Sequence, residues 1–177
     1  GLTALVTAVA VLGLAGAALA QLQFFTPPEL SVPRIPYDGR FTFARLKYVT
    51  GPGGYYYRGM PAWAHGYPSS ERNLTAILSE ISYLDVHVKE SAVVALDDPE
   101  LFKYPVSFMT EAGYWTLTDK EAASFRAYLQ KGGFVIFDDS RDDFYRGGGG
   151  WPNFEANMQR VLPGARFIDI EGSQPIL

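Results

Sequence analysis

The sequence predicts an α/β fold with a mostly parallel central sheet, and three observations carry that expectation. Helical and extended patterns alternate along residues 41–170, as in a sheet with helices packed on its faces and right-handed crossovers between strands. The run Phe134-Val135-Ile136-Phe137 is apolar at every position, which predicts a central parallel strand covered on both faces. Thr118 followed by Glu121 is a capping box ahead of an apolar stripe, so a helix is expected to lead into that strand.

In chain order, Phe41 to Tyr48 is rich in aromatics and alternates apolar and polar residues over its second half, so it predicts the first strand. Thr50 to Tyr67 then reads as a long loop with Gly51, Pro52, Gly53, Gly54 and Gly59 placed among Tyr55, Tyr56, Tyr57 and Trp63; long loops in compact domains are often functional. Ser69 or Ser70 caps a predicted helix in which Leu74, Ile77, Leu78 and Ile81 form a core-facing stripe. Val86 to Leu96 reads as a strand, or two pieces broken near Glu90-Ser91, and Asp97-Asp98-Pro99 opens a turn or short helix. Val106 to Thr110 is the next strand. After Thr118, the residues Ala122, Phe125, Tyr128 and Leu129 supply a buried stripe, and Gly132-Gly133 ends the helix. Asn153 is expected to cap a helix running to Leu162, stopped by Pro163-Gly164, and Ala165 to Ile170 reads as a last strand.

Composition narrows the function classes. The net charge is −4 and Lys and Arg form no stripe, which argues against nucleic-acid binding. The sequence has no cysteine, so disulfides, thiolate metal sites and a cysteine nucleophile are excluded together. Only His65 and His87 are present, which rules out a multi-histidine metal site and leaves carboxylate sites for hard cations open. No metal and no cofactor is expected.

Residues 1–20 are uncharged and end in Ala18-Leu19-Ala20, like the apolar region and cleavage site of a secretory signal peptide. An uncleaved membrane anchor is the rival, since a span needs about 20 apolar residues. Residues 21–39 hold Pro27, Pro28, Pro33 and Pro36 and read as an extended linker, so the folded domain is expected over residues 40–177. The address is therefore periplasmic or secreted, or else membrane-attached through residues 1–20.

Four segments, in order and spacing, carry a resemblance: Trp63-x3-Tyr67-Pro68, Glu100-Leu101-Phe102-Lys103-Tyr104-Pro105, Gly132-Gly133-Phe134 with Asp138-Asp139, and Asn153-Phe154-Glu155 through Val161-x-Pro163. Over about residues 41–177 the chain resembles the bacterial family called domain of unknown function 4159. The resemblance implies a flavodoxin-like, class I glutamine amidotransferase-like three-layer sandwich in a cell-envelope setting, and no particular activity. Family members often carry a His-Pro pair near the end, where this chain has Gln174-Pro175, and they continue past about Leu177, so a further C-terminal segment is expected.

Ligands of parallel sheets sit beyond the carboxyl ends of the strands. Asp138-Asp139-Ser140, Thr110-Glu111 and the loop after Tyr48 are therefore expected to meet at one edge. The amidotransferase-like resemblance implies a nucleophilic cysteine in the turn after Phe137, where this chain has carboxylates. Asp138, Asp139, Asp142 and Asp143 can act as bases, nucleophiles or cation ligands, or can brace and solvate a loop. His65 is the candidate proton carrier, against a loop-bracing role, and His87 reads as structural. Trp63, Tyr67 and Trp151, with Tyr55 to Tyr57, form either a ligand platform or a core cover. Gly147 to Gly150 lacks the Lys and Ser or Thr of a phosphate loop and reads as a flexible link.

Two functions follow. One is a non-catalytic envelope module binding a small ligand or an envelope protein at the carboxyl edge, through Trp63, Tyr67, Thr110, Glu111, Asp138, Asp139, Ser140 and Trp151. The alternative is an Asp-dependent hydrolase using Asp138 or Asp139 with His65 and Glu111. Geometry separates them, because a relay needs His65 or Glu111 within hydrogen-bond reach of an aspartate, and a separation beyond about 8 Å excludes it.

Overall fold

The computed structural model describes residues 35–56, 59–139 and 150–170. The expectations for residues 1–20, most of the 21–39 linker, Tyr57, Ser140, Asp142, Asp143, Gly147 to Gly149 and Gln174-Pro175 lie outside the described residues.

The central sheet contains β1 (Ala44–Lys47), β5 (Ala92–Ala95), β6 (Val106–Thr110) and β8 (Phe134–Asp138), all parallel, in the order β5-β1-β6-β8. Phe41 adds a parallel bridge to Val86, so the 86–96 stretch is indeed interrupted before β5. Helix α1 (Ser69–Ile81) lies after the first strand, α2 (Asp119–Gln130) between β6 and β8, and α3 (Trp151–Val161) after β8. Short antiparallel pairs, β2 (Val49–Thr50) with β7 (Trp115–Thr116) and β3 (Tyr55–Tyr56) with β4 (Met60–Pro61), organise the stretch expected as plain loop.

Alternation along the strands sorts side chains onto two faces. Ala44 pairs with Ser107 and Arg45 with Phe108, so these two pairs face opposite ways. On the Ser107 face lie α2 and α3: the Tyr128 hydroxyl reaches Ser107 Oγ at 3.3 Å, and Phe137 packs edge-on against Phe154 at 4.8 Å. On the Phe108 face α1 presents Glu71 to Arg45. Helices on both faces of a parallel sheet make a three-layer, flavodoxin-like sandwich.

The capping box at Thr118 forms with both arms, since Thr118 Oγ1 accepts from Glu121 N–H and the Glu121 carboxylate accepts from Thr118 N–H at 2.8 Å. Ala122, Phe125 and Tyr128 are buried, and Gly132 takes the left-handed conformation after the helix with φ of 95°.

Several expectations fail for identifiable reasons. Phe134–Asp138 is not central: among the described residues it is an edge strand, and Phe134 is 58% exposed. The α1 stripe faces the core only in part: Leu74 and Leu78 are half-buried beside the buried Glu71 and Thr75, while Ile77 and Ile81 are exposed. Arg45 explains this, since a charge buried in β1 needs its partner and so fixes the rotation of the helix above it. Neither Ser69 nor Ser70 caps α1, which starts after Pro68 with no side-chain cap. Asn153 does not cap α3; Gly150 does, with proline in the first turn where its missing N–H costs little. Asn153 instead donates to the carbonyls of Gly113 and Trp115, each at 2.9 Å. Residues 165–170 form no strand: Phe167 packs on Trp151 and Phe154, and Ile168 and Ile170 are exposed.

Candidate functional site at the carboxyl edge of the sheet

The carboxyl ends of β6 and β8 stand side by side, with Thr110 opposite Asp138. The next residues, Glu111 and Asp139, are the two described non-glycine residues with positive φ, at 50° and 55°. A left-handed carboxylate residue is strained by about 1–2 kcal/mol, and such strain gathers at functional sites. Glu111 N–H donates to the Asp138 carbonyl at 2.9 Å, which ties the two turns together.

His65 closes the group from the 3-10 turn Ala62–Ala64. Its Nδ1 lies 2.6 Å from Glu111 Oε1 and 3.0 Å from Asp139 Oδ2. Both separations are far inside the limit for a relay. The Glu111 side chain is buried, whereas those of His65 and Asp139 are 36% and 34% exposed, so the cluster is walled on one side and open on the other. The Tyr56 ring sits 5.2 Å from the imidazole.

The support beneath the cluster is Arg45. Its Nη1 donates to the carbonyls of Trp63 at 2.8 Å and His65 at 3.0 Å and to Thr110 Oγ1 at 2.8 Å, while Nε pairs with Glu71. One guanidinium thus holds the His65 turn, the end of β6 and α1. Tyr48 adds a second brace by donating to the carbonyls of Thr110 and Glu111, both at 2.8 Å. Burial pushes the Tyr48 hydroxyl well above a tyrosine's ordinary range, with the Glu111 carboxylate adding to it, and the same two causes raise Tyr56.

Of the residues singled out in the sequence, His65, Thr110, Glu111, Asp138 and Asp139 come together. Thr110 serves through Arg45, and Asp138 is exposed, its Oδ1 accepting from Asp139 N–H at 2.8 Å. Trp63 belongs to the core, with Lys47 Nζ 5.9 Å from its ring, and Tyr67 is half-buried beneath the Arg45 guanidinium. Trp151 is exposed at the start of α3 and packs on Phe154 and Phe167. His87 has a structural setting: Nε2 meets the Asp38 carboxylate at 3.0 Å, and that hydrogen bond holds the Asp38 pKa below its ordinary value.

Arg45 and Glu71 escaped the sequence reading. The available signal was a charge in a strand flanked by Ala44 and Leu46, with an acid in the first turn of the following helix. Among the described residues, two clefts of about 440 Å³ open at the surface. One, lined by Gly113, Tyr114, Pro152 and Asn153, adjoins the turn that follows Glu111; the other, lined by Tyr37, Phe102, Lys103 and Lys131, includes residues at the opposite ends of the strands.

A parallel three-layer sandwich with a histidine–carboxylate cluster at its carboxyl edge defines a flavodoxin-like α/β protein. Within that class, residues 42–177 match the family described as Domain of unknown function (DUF4159), and the chain belongs to that family. No curated protein matches the chain. Among the described residues no helix is long and apolar enough to cross a membrane.

Proposed function

We propose that the chain is an exported cell-envelope module that binds a small ligand at the carboxyl edge of its sheet, centred on His65, Glu111 and Asp139. The observation that carries this is the convergence of both carboxylates on His65 Nδ1, at 2.6 and 3.0 Å, beside an open side. Parallel sheets bind ligands at this edge, and a polar group supported by a buried arginine is preorganised to do so. The export part rests on residues 1–20, which have the character of a signal or anchor.

The same contacts favour a second reading, hydrolysis. A carboxylate on Nδ1 fixes the imidazole tautomer and orients the ring, and Nε2 makes no hydrogen bond among the described residues. That nitrogen is placed to take a proton from water, with Asp139 holding the ring.

Thermal-shift screening of the full chain against sugars and peptidoglycan fragments tests the proposal, because a ligand bound only by the folded state raises apparent stability. A shift that disappears in Asp139→Ala, with the fold intact, supports a site at this edge. Silence across a folded sample overturns the small-ligand reading and favours a protein partner.

A further inference from the structure

We propose that the amino edge of the sheet docks on the surface of a lipid bilayer, the one that holds residues 1–20. The inference goes beyond the carboxyl-edge site: it rests on the anchor reading of residues 1–20 and on no binding by His65, Glu111 or Asp139. Its first support is where exposed apolar side chains gather. The strands of the central sheet all run the same way, so the residues that lead into them share one edge. Tyr37 precedes the bridge at Phe41, while Ile81, Tyr83 and Leu84 precede its partner Val86; Phe102 precedes β6, and Phe134 opens β8. All six are exposed. Scattered apolar residues are ordinary on a surface, but a group of them on one edge marks a place of contact.

The second support is the point at which the chain enters the fold. Tyr104, just ahead of β6, donates from its hydroxyl to the Ile35 carbonyl at 3.1 Å and meets the Tyr37 ring edge-on at 6.0 Å. Ile35 is thus pinned to the same edge. Ahead of it the sequence has the 14 residues 21–34, which reach at most about 50 Å, and before them the uncharged apolar run 1–20, long enough to span a bilayer. This tether keeps the edge close to the lipid, where even a weak contact is favoured by a high effective concentration.

The chemistry of the edge suits the headgroup region. Rings with a polar tip favour the membrane–water interface, and Tyr37 and Tyr83 have that character. Lys131 Nζ lies over the Phe102 ring at 4.9 Å, in the cleft that also holds Lys103, itself paired with Glu100 at 2.8 Å. A lysine so placed covers apolar surface with its stem and offers its amine to a lipid phosphate. The opposite edge carries Glu111, Asp138 and Asp139, which anionic lipid repels. Docking by the amino edge therefore turns His65 and its carboxylates away from the bilayer.

The test uses the absence of cysteine, which allows one fluorophore to be attached at a chosen position. Full chain carrying Tyr83→Cys, on the amino edge, or Val49→Cys, an exposed position just beyond the carboxyl end of β1, is labelled and reconstituted in vesicles of phosphatidylcholine and phosphatidylglycerol. A fraction of the lipid bears a nitroxide at headgroup level. The label at position 83 should be quenched several times more strongly than that at position 49. Adding Ile81→Ser and Leu84→Ser should abolish the difference while the chain still floats with the vesicles, and circular dichroism checks the fold. Equal quenching at the two positions overturns the proposal, as does quenching at position 83 that the serine substitutions leave unchanged. Failure of the chain to float with the vesicles overturns the anchor reading and the docking with it, and leaves the ligand screen at the carboxyl edge unaffected. A silent ligand screen with position 83 quenched does the reverse.

Discussion

Arg45 and Glu71 form an ion pair inside the protein, under α1, and neither side chain reaches solvent. The pair also leaves Arg45 Nη2 and Glu71 Oε2 without hydrogen-bond partners among the described residues. Burying such a pair is weak evidence for stability, since desolvation offsets most of the attraction. Its consequence here is positional. Arg45 also holds the backbone of His65 and the hydroxyl of Thr110, so the pair links the rotation of α1 to the placement of the site.

Arg45→Met alone should therefore destabilise by about 3–5 kcal/mol, since it strands Glu71 as an unpaired buried charge. The double variant Arg45→Met with Glu71→Leu should recover a large part of that loss. Urea denaturation of the single and double variants checks this, and additive losses would contradict the coupling.

Asp139→Gly should behave differently. Glycine adopts a φ of 55° without a side-chain penalty, so stability should hold or rise by up to about 1 kcal/mol. The binding attributed to the edge should nonetheless disappear. Denaturation together with the thermal-shift screen reads both halves, and a marked loss of stability would assign Asp139 a bracing role instead.

Alkaline pH should unfold the protein through its tyrosines. Burial raises Tyr48, Tyr56 and Tyr128 above the ordinary value of 10.0. Above pH 10 the unfolded chain releases protons that the folded chain retains, so the stability these residues contribute is complete below about pH 10 and lost as pH rises beyond it. Absorbance at 295 nm should show buried tyrosines ionising together with the loss of circular dichroism. In Tyr48→Phe the decline of stability above pH 10 should be shallower. Ionisation of all 11 tyrosines with the fold intact would rule this out.

Ile81→Lys should change stability by no more than about 0.5 kcal/mol, as expected at a position 75% exposed. Phe125→Ala, in the core against Trp115, should cost about 3–5 kcal/mol. Urea midpoints of the two variants measure whether the helix stripe or the α2 face supplies the core.

These contrasts also show what could be read in the sequence. The Thr118 cap, the Val106–Thr110 strand and the meeting of Glu111 with Asp139 were legible, because each follows from a local rule or from parallel-sheet topology. The rotation of α1 was not, since periodicity ranks Ile77 and Ile81 above Glu71 and takes no account of a charge on a neighbouring strand. The position of β8 was not legible either. An apolar run looks the same at a sheet's centre and at an edge with one uncovered face. Asn153 resembled a cap by residue type, but its amide is committed to carbonyls about forty residues away. The grouping of His65 with Glu111 and Asp139 was legible from their expected place at the sheet's edge, but the Arg45 contacts that hold the His65 turn there were not, since they join residues too far apart in the chain for spacing to relate them.

The pairing of Thr110 with Asp138 gives the strand register a further role. Because Glu111 and Asp139 each follow a paired residue, the sheet ladder acts as a ruler that sets the separation of the two carboxylates. A slip of one residue between β6 and β8 would send alternate side chains to the opposite face and carry one carboxylate away from His65. Errors in strand pairing would thus be errors in the site, so any binding there would serve as an assay of correct assembly of the sheet.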